Sequence, residues 1–393
     1  MRKKIARRDF LKQGTTATMI GATSLAHSRG SVARRQDNPN QYRGPVADLD
    51  VGQRQLDSFD FSLSGYNRIA PSMSFTASNL TAARKWQKQA RAKLIELIGG
   101  FPAQKAPLKP VVLERKEFGG YVREKIIFQS RDDLSVFGYL LVPTRRSGPV
   151  PAVICLPGHG RGCDDIVGIS EQGKQRNTKP GYAYDFALQV VENGYAAFAI
   201  EQLAFGCRRD QAARAKGAAQ SSCQPAAGAA LLFGQTMVAW RVWDAMRAID
   251  YLSTRTEVDS SRLATMGISG GGTISLFTGA IDQRIKVAVV SCYFNTFRHS
   301  IMSLSHCIDN YVPGILNYLE MYDLAGLVAP RALFVESGTR DPIFPLEGSK
   351  LAFKHAQSIY SVFGVPEMAG QEVFEGVHEF HGVGAFEFLR KRL

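Results

Sequence analysis

The chain has little cysteine and no long run of apolar residues. Its 393 residues include six cysteines, and none of their spacings matches a zinc-binding motif. The most apolar stretch near the amino terminus, residues 14–25, spans only about a dozen positions and is rich in Thr and Gly, so it is too short and too polar to cross a bilayer. The sequence therefore predicts neither a metal centre nor stable insertion into a membrane.

The sequence also lacks a concentrated basic patch. The formal net charge is +13, but residues 1–26 alone hold six Lys or Arg against one Asp. The other basic residues are scattered, with no basic helix and no aromatic residues between them, so nucleic acid is not an expected partner. A dispersed positive charge is compatible with steering toward an acidic polysaccharide.

The first residues look like an export address. Ala6-Arg7-Arg8-Asp9-Phe10-Leu11-Lys12 resembles a twin-arginine signal, departing from it where Ala6 stands for the usual Ser or Thr. A short apolar run and small residues at 24–26 follow, as in a cleavable signal peptide. We predict a twin-arginine signal over residues 1–26, recognition by the twin-arginine export machinery, and a periplasmic or extracellular location. The alternative is a disordered basic tail.

Export would also affect the cysteines. Cys207 and Cys223 flank one loop, and Cys292 and Cys307 flank another, so in an oxidising compartment both pairs are candidates for disulfides. Cys155 lies in an apolar strand and is predicted to be a buried thiol.

The composition divides the remaining chain. Residues 27–70 are polar, and their composition predicts a linker or extended arm. Residues 71–393 are predicted to form the main folded domain. A helix is predicted over 79–98, where Asn79 can cap the start and two glycines follow. Two β runs, 122–129 and 134–142, complete an N-terminal helical and β extension.

From residue 151 onward, short apolar strands alternate with helices. The strands are predicted at 152–156, 196–200, 263–266, 287–291, 332–336 and 372–374, and the helices at 184–192, 236–252, 273–281, 346–363 and 384–390. This alternation predicts an α/β fold with a mostly parallel central sheet and helices on both faces. Functional residues gather at the carboxyl ends of such strands. Residues 203–235 form a long insertion after one strand end and are a candidate rim or lid.

A Gly-x-Ser-x-Gly turn stands between a predicted strand and a predicted helix. Ser269 is its central residue, between Gly267 and Gly271. Such a turn forces the serine onto a strained backbone and presents its hydroxyl beyond the sheet, where it can act as a nucleophile. The alternative is a glycine-rich turn with a capping serine. The glycine spacing does not fit a dinucleotide-binding motif, and no cofactor is predicted.

The histidine that would activate Ser269 should follow the last strand. His378 and His381 both lie there, and His378 is preferred because it comes first, behind Gly376. His381, at the start of the final helix, is the alternative. The histidine that does not activate Ser269 would instead have a packing or capping role.

An acid should hold the histidine in the correct tautomer. Asp341 lies on the loop after the 332–336 strand and precedes a proline, which makes it the preferred residue. Glu336 and Asp323 are weaker candidates. Asp341 could instead cap the helix that begins near Leu346.

Two backbone N–H groups should stabilise the oxyanion. One is predicted at Gly270, directly after the nucleophile, and the other at His159, in the glycine-rich turn after the 152–156 strand. Gly160 is the alternative to His159. The side chain of His159 is predicted to form a wall of the pocket.

Several blocks of the sequence together resemble a known family. They are residues 156–160, 243–252, 267–272, 306–314 and 329–345. These blocks are similar to the acetyl xylan esterase-like branch of the α/β-hydrolases, close to dienelactone hydrolases and prolyl oligopeptidases. The resemblance covers about residues 80–393.

The resemblance implies an α/β-hydrolase fold with a Ser269, Asp341 and His378 triad. It also implies cofactor-free hydrolysis of carboxylic esters, often acetyl groups on plant polysaccharide, in a small-molecule or polysaccharide substrate. Fold-level analogy does not fix the substrate. One alternative is a serine peptidase of the prolyl-oligopeptidase type, and another is a non-catalytic binding protein on the same fold.

Other polar residues near these blocks have structural interpretations. Asp309 and Asn310 are predicted to set a turn. Arg208 and Arg209 could meet a sugar acid at the rim, but a solvated loop is preferred.

Overall fold

The computed structural model describes residues 44–46, 49–50, 52–176, 178–179 and 181–393. The predicted export signal lies outside these residues. Contacts divide the chain into two compact units, Met1–Ser64 and Gly65–Leu393. In the first unit, the Asp57 carboxylate accepts hydrogen bonds from the backbone N–H groups of Phe59 and Asp60, at 2.7 and 3.0 Å, and so caps the start of a helix.

The second unit contains one sheet, which has nine strands among the described residues. The strands are β1 (Val111–Glu117), β2 (Tyr121–Arg131), β3 (Leu134–Pro143), β4 (Val150–Leu156), β5 (Ala196–Ile200), β6 (Val258–Ile268), β7 (Ile285–Ser291), β8 (Ala332–Gly338) and β9 (Ala369–Phe374). Their order across the sheet is β1-β2-β3-β5-β4-β6-β7-β8-β9. The pairs from β1 to β5 are antiparallel, and the five pairs from β5 to β9 are parallel. This sheet confirms the predicted α/β-hydrolase fold.

Helices precede, connect and follow the strands. They are α1 (Ser58–Arg68), α2 (Leu80–Leu97), α3 (Phe186–Glu192), α4 (Gln211–Lys216), α5 (Cys223–Leu232), α6 (Met237–Leu252), α7 (Gly270–Ile281), α8 (Asp323–Val328), α9 (Leu346–Val362) and α10 (Val383–Arg392). Short 3₁₀ turns lie at Gly162–Asp165, Gly206–Arg208, Ile308–Asn310, Ile315–Asn317 and Pro366–Met368.

The central strands are buried on both faces. Every residue of β5 and of β8 is buried, as expected for parallel strands with helices above and below. One apolar core joins the sheet to α2, α6, α7, α8 and α9, and a second joins its other face to α3 and α10. Each core therefore holds the strand ends at fixed positions.

The helix predicted over 79–98 begins after Asn79. The Asn79 side chain accepts a hydrogen bond from the Ala82 N–H at 3.0 Å, which satisfies one free donor of the first turn. Ala83, Ala90 and Leu94 recur at helical spacing and are fully buried. The buried face of α2 follows the spacing on which the prediction depended.

Three parts of the structure were not anticipated. β1 lies at the sheet edge and is exposed along nearly its whole length, so it has no alternation of apolar and polar residues to reveal it. The 203–235 insertion contains α4, α5 and the 206–208 turn, and α1 lies partly within the segment predicted as an extended arm. Within the described ranges, no helix combines the length and the apolar character needed to span a bilayer.

Three glutamates are buried at positions that do not offer full charge compensation. Glu201, Glu320 and Glu336 are at most 2% exposed, and burial raises the pKa of each to about 7. Glu336 accepts a hydrogen bond from the Gly382 N–H at 2.7 Å. These side chains take up protons in the folded protein at a pH where the unfolded chain has already lost them.

We predict that Glu336→Gln weakens the pH dependence of stability. Because the folded-state pKa is raised from 4.5 to about 7, the contribution of Glu336 is fully present below pH 4.5 and is lost as the pH rises through 7. Between pH 5 and 8, the free energy of unfolding should fall by about 2–3 kcal/mol less in the variant. Urea titrations across this range test the prediction. Glu367→Gln, at an exposed site, should match the wild type, and parallel curves for wild type and Glu336→Gln would contradict it.

The aromatic cluster above β5 supplies a test of the core. The Phe198 ring is fully buried and lies 6.0 Å from the Phe128 ring and 5.5 Å from the Tyr251 ring. Phe198→Ala should lower the free energy of unfolding by about 3–5 kcal/mol, because it removes apolar contacts and leaves a cavity. The same change at Phe233, which is 74% exposed, should alter stability by about 0.5 kcal/mol or less. Equal losses at the two sites would refute this account.

Candidate active site

Ser269 lies on a strained turn between β6 and α7. Its backbone has φ 57° and ψ −125°, a combination that a residue with a side chain adopts only when the surrounding structure enforces it. The Ser269 N–H donates to the Ser291 carbonyl at 3.0 Å, at the end of the neighbouring β7. The turn therefore has the form expected of a nucleophile at the carboxyl end of a strand.

Close backbone packing explains the two glycines on either side of Ser269. A Cβ on Gly267 would lie 2.2 Å from the Gly271 carbonyl oxygen, and a Cβ on Gly271 would lie 1.9 Å from the Leu156 carbonyl oxygen. Neither distance is tolerable for a larger residue. The Gly-x-Ser-x-Gly spacing thus reflects the meeting of the turn with the end of β4.

Asp341 and His378 form a direct pair. Asp341 Oδ2 lies 2.8 Å from His378 Nδ1, and the two side chains are 1% and 13% exposed. Asp341 Oδ1 accepts from the N–H groups of Ile343 and Phe344, at 2.8 and 3.0 Å. The carboxylate thus closes its own turn with one oxygen and fixes the imidazole with the other.

Aromatic rings hold the His378 imidazole in place. The Tyr182 ring stacks at 5.7 Å and the Phe344 ring at 5.8 Å. Tyr182 also reaches the nucleophile turn, because a Cβ placed on Gly158 would lie 2.2 Å from the Tyr182 hydroxyl and 3.0 Å from Ser269 Cβ. Ser269 and His378 therefore adjoin the same tyrosine, with the free edge of the imidazole opposite Asp341.

The alternative residues from the sequence are engaged elsewhere. His381 Nδ1 lies 2.9 Å from Glu372 Oε1, and its ring stacks on Phe374 at 4.8 Å. Asp323 accepts from the Phe75 and Glu320 N–H groups, while Glu336 accepts from Gly382. His381, Asp323 and Glu336 thus have partners outside the Asp341–His378 pair.

The loop after β4 packs against the nucleophile turn. Tyr182 donates its hydroxyl to the His159 carbonyl at 2.7 Å, and Gln202 donates to the Pro157 carbonyl. A Cβ on Gly270 would lie 3.3 Å from the His159 ring. The two residues predicted to supply oxyanion N–H groups are therefore neighbours in space, and the imidazole of His159 forms a wall beside Gly270.

A buried polar cluster lies behind His159. His159 Nε2 is 3.4 Å from Asp309 Oδ2 and 3.6 Å from Cys223 Sγ. Arg241 donates to Asp309 Oδ2 at 2.5 Å and to Cys223 Sγ at 3.2 Å. We name these four residues, His159, Cys223, Arg241 and Asp309, the His159 cluster.

The charges in this cluster stabilise one another. Burial by itself would raise the pKa of Asp309, but His159 and Arg241 hold it below its usual value. Burial disfavours the charged form of His159. The charge of the Asp309 carboxylate and the hydrogen bonds that the imidazole makes to Asp309 and the neighbouring cysteines outweigh this effect and raise the pKa of His159 well above 6.5. An ion pair with a protonated imidazole is the expected state near neutral pH.

The same atoms bear on metal binding. The ligand atoms of His159, Cys223 and Asp309 lie within 4.8 Å of one another, a set that zinc could accept. Arg241, however, already directs two N–H donors at two of these three ligands. A guanidinium in that position repels a cation and supplies the positive charge itself. The cluster suits an internal ion pair better than a metal.

Several polar residues around the site have partners that the sequence did not predict. Asp309 and Asn310 do lie in a 3₁₀ turn, but Asp309 is 2% exposed and reaches His159, a contact for which the sequence offered no signal beyond the 306–314 block. Arg208 is not solvated, since its side chain is 6% exposed and pairs with Asp244 at 2.7 Å. Arg209 bonds the carbonyls of the insertion itself.

The disulfide candidates are also not formed. All six cysteines lie in the described part of the chain, and each is a free thiol. Cys223 faces Arg241 and Asp309, whereas Cys292 faces the Glu379 carbonyl at 3.3 Å, away from the exposed Cys307. Cys155 is fully buried, as predicted.

Similar proteins exist among curated sequences and solved structures. Identity is 27% over 286 residues to the protein named Putative hydrolase YtaP of Bacillus subtilis (strain 168), covering 70% of this chain and 89% of that protein. It is 24% over 374 residues to Carbohydrate esterase MZ0003 from an unknown prokaryotic organism, covering 81% and 84%. A crystal structure from Bacteroides fragilis NCTC 9343, described as a putative acetyl xylan esterase, superposes with a TM-score of 0.71 at 20% identity, covering 82% of each chain.

The family assignment comes from a match that spans most of the chain. A model of the Abhydrolase family matches residues 38–358, a range that includes β1–β8, Ser269 and Asp341. His378 and β9 follow directly in the same sheet. Together with the strand order, this match establishes that the chain belongs to the Abhydrolase family.

Proposed function

We propose that this protein is a serine carboxylic-ester hydrolase that works through an acyl-enzyme. The observation that carries the proposal is the Asp341–His378 pair at 2.8 Å, whose imidazole stacks on Tyr182. The Tyr182 hydroxyl in turn lies next to the loop that touches the strained turn of Ser269. The order of the three residues along the chain, Ser269, Asp341 and His378, is that of α/β-hydrolases. Membership of the Abhydrolase family supports hydrolysis as the reaction class.

In the proposed mechanism, His378 accepts the Ser269 proton through Nε2 as the hydroxyl oxygen attacks the ester carbonyl. Asp341 holds Nδ1 and stabilises the imidazolium that forms. The N–H groups of Gly270 and His159 donate to the oxyanion, each contributing about 3–4 kcal/mol of barrier lowering. His378 then protonates the departing alcohol, and water, activated by the same histidine, releases the acid.

For the substrate, we propose an ester on a carbohydrate, with removal of acetyl groups as the leading reaction. One relative is named a carbohydrate esterase, and the Bacteroides fragilis structure is described as a putative acetyl xylan esterase. The basic residues that remain outside the leader would favour approach to acidic polysaccharide. We also propose that the twin-arginine signal delivers the enzyme to the periplasm or the exterior, where such polymers occur.

Substitution of the three site residues tests the mechanism. Ser269→Ala and His378→Gln should each lower kcat on an acetyl ester by about 10⁴-fold or more, because each removes a member of a single catalytic unit. A fluorophosphonate probe should label wild type at Ser269 and leave Ser269→Ala unlabelled. His381→Gln is the matched control, since that imidazole pairs with Glu372, and it should retain activity within about threefold. Wild-type rates in Ser269→Ala would refute the proposal.

A substrate panel tests the proposed reaction class. Acetylated xylan, a glucuronate methyl ester, a small aryl acetate and a Pro-containing peptide are compared by kcat/KM. We expect acetylated carbohydrate to exceed the peptide by at least about 10²-fold, because attack on an ester gives up less resonance stabilisation than attack on an amide, and an alcohol leaves more readily than an amine. A serine peptidase would give the reverse order. A protein that binds the polymer, hydrolyses none of the four and resists the probe would be a non-catalytic binding protein.

A further inference from the structure

The His159 cluster is a buried group of charges whose side chains have no role in the proposed mechanism. It joins three separate parts of the chain: α5 through Cys223, α6 through Arg241, and the 308–310 turn through Asp309. Arg241 is additionally fixed by the Leu203 carbonyl, at 3.0 and 2.8 Å, and lies over the Phe205 ring at 4.3 Å. The Phe205 ring in turn meets the His159 ring at 4.7 Å.

Exposure within the cluster is uneven. The Asp309 side chain is fully buried and the Arg241 side chain is 2% exposed, whereas the His159 side chain is 23% exposed. His159 is therefore the member that faces outward, toward Gly270. Asp309 and Arg241 neutralise each other, so protonation of His159 gives the cluster one net positive charge on the side of the nucleophile.

The His159 side chain can fix the position of its own backbone N–H. Its backbone lies in the loop that touches the Ser269 turn, and that loop has almost no space to move, because a Cβ on Gly158 would meet Ile268 O at 2.8 Å and Ser269 Cβ at 3.0 Å. A side chain anchored at its far end fixes the backbone N–H at its near end. Small displacements of an oxyanion donor reduce its effect strongly.

We propose that Asp309 and Arg241 are positioning residues that act through His159, holding its imidazole and its backbone N–H at the oxyanion pocket. This inference rests on the proposed function. It assigns to Asp309 and Arg241 a role in the rate of the reaction, in addition to any contribution they make to folding.

Substitution of Asp309 by Asn tests the proposal. Asp309→Asn keeps the shape and removes the charge, and His159→Gln keeps the backbone N–H and removes the imidazole. Each should lower kcat on an acetyl ester by about 10- to 100-fold while KM changes by about twofold or less. The double variant should be no slower than His159→Gln, because Asp309 acts through His159. If the two losses multiply, the proposal is wrong.

Asp244→Asn is the matched control for a purely structural role. Asp244 also forms a buried ion pair with an arginine, at 2.7 Å from Arg208, with side chains 2% and 6% exposed. Both aspartate variants leave a buried guanidinium uncompensated and should lower Tm. Rates are expressed per folded molecule, from active-site titration with the fluorophosphonate probe. Asp244→Asn should keep the wild-type kcat, and an Asp309→Asn kcat equal to it would overturn the proposal.

The pH profile gives a readout that a structural role would not move. The groups that face His159 are Asp309, Arg241, Cys223, Cys307 and His306, and the Asp309 charge is the one that favours the imidazolium most. Loss of the His159 proton should therefore produce an alkaline decline of kcat in wild type, shifted to lower pH in Asp309→Asn and absent in His159→Gln. An alkaline limb identical in all three proteins would refute the proposal.

The two proposals fail in different ways. If Ser269→Ala retains wild-type activity and the probe does not label Ser269, the proposed function fails and the cluster cannot serve it. If activity depends on Ser269 but Asp309→Asn follows Asp244→Asn in kcat and pH profile, only the positioning role is wrong.

Discussion

The contact between the end of β4 and the start of α7 determines the geometry of the whole site. β4 and β6 are neighbouring parallel strands, paired from Ala152 with Leu263 to Leu156 with Gly267. Both therefore end at the same edge, and the turns that follow them are forced together. The 1.9 Å approach of a hypothetical Gly271 Cβ to the Leu156 carbonyl shows how little space is left. Strain at Ser269 is sustained because sheet pairing on one side and helix packing on the other prevent the turn from relaxing.

Charge is distributed around this contact in two distinct ways. Asp341 and Asp309 are buried, but each receives donors: backbone N–H groups and an imidazole for Asp341, and a guanidinium and an imidazole for Asp309. In the case of Asp309, these donors hold the pKa below its usual value, so the carboxylate can stay ionised beside a positively charged His159. Glu201, directly after β5, and Glu336, in β8, have no basic partner among the described residues, and burial raises the pKa of each to about 7. Burial alone therefore does not determine whether a carboxyl serves as an anion, since the donors around it decide.

The sequence predicted the parts of the molecule that are encoded locally. Strands with continuous apolar runs, such as β5 and β7, and helices with a cap and an apolar stripe, such as α2, follow from spacing alone. Ser269 is the predicted nucleophile because a Gly-x-Ser-x-Gly turn between a strand and a helix is typical of one. Asp341 and His378 followed because topology places them at loop ends. The prediction of His378 over His381 agrees with the pair that the structure forms, since the loop after β9 turns back toward Asp341 before α10 begins.

The remainder depends on contacts between distant segments, which local patterns do not encode. Arg241 occupies a helical position whose spacing is that of a core residue, and Asp309 has the composition of a turn, so neither pattern suggests that the two meet. The prediction that Arg208 lies in a solvated loop was wrong for the same reason, because its partner Asp244 lies 36 positions away.

The 203–235 insertion takes part in these contacts between distant segments. Cys223 and the Leu203 carbonyl belong to the insertion, and both bind Arg241. Through Arg241 and Asp309, the insertion is connected to the loop that carries His159. The segment that the sequence suggested as a rim or lid is thus joined, by buried charges, to the groups proposed to stabilise the oxyanion. Changes at Cys223 or at Leu203, which contact Arg241, are therefore expected to affect the rate of the reaction even though they do not contact the substrate.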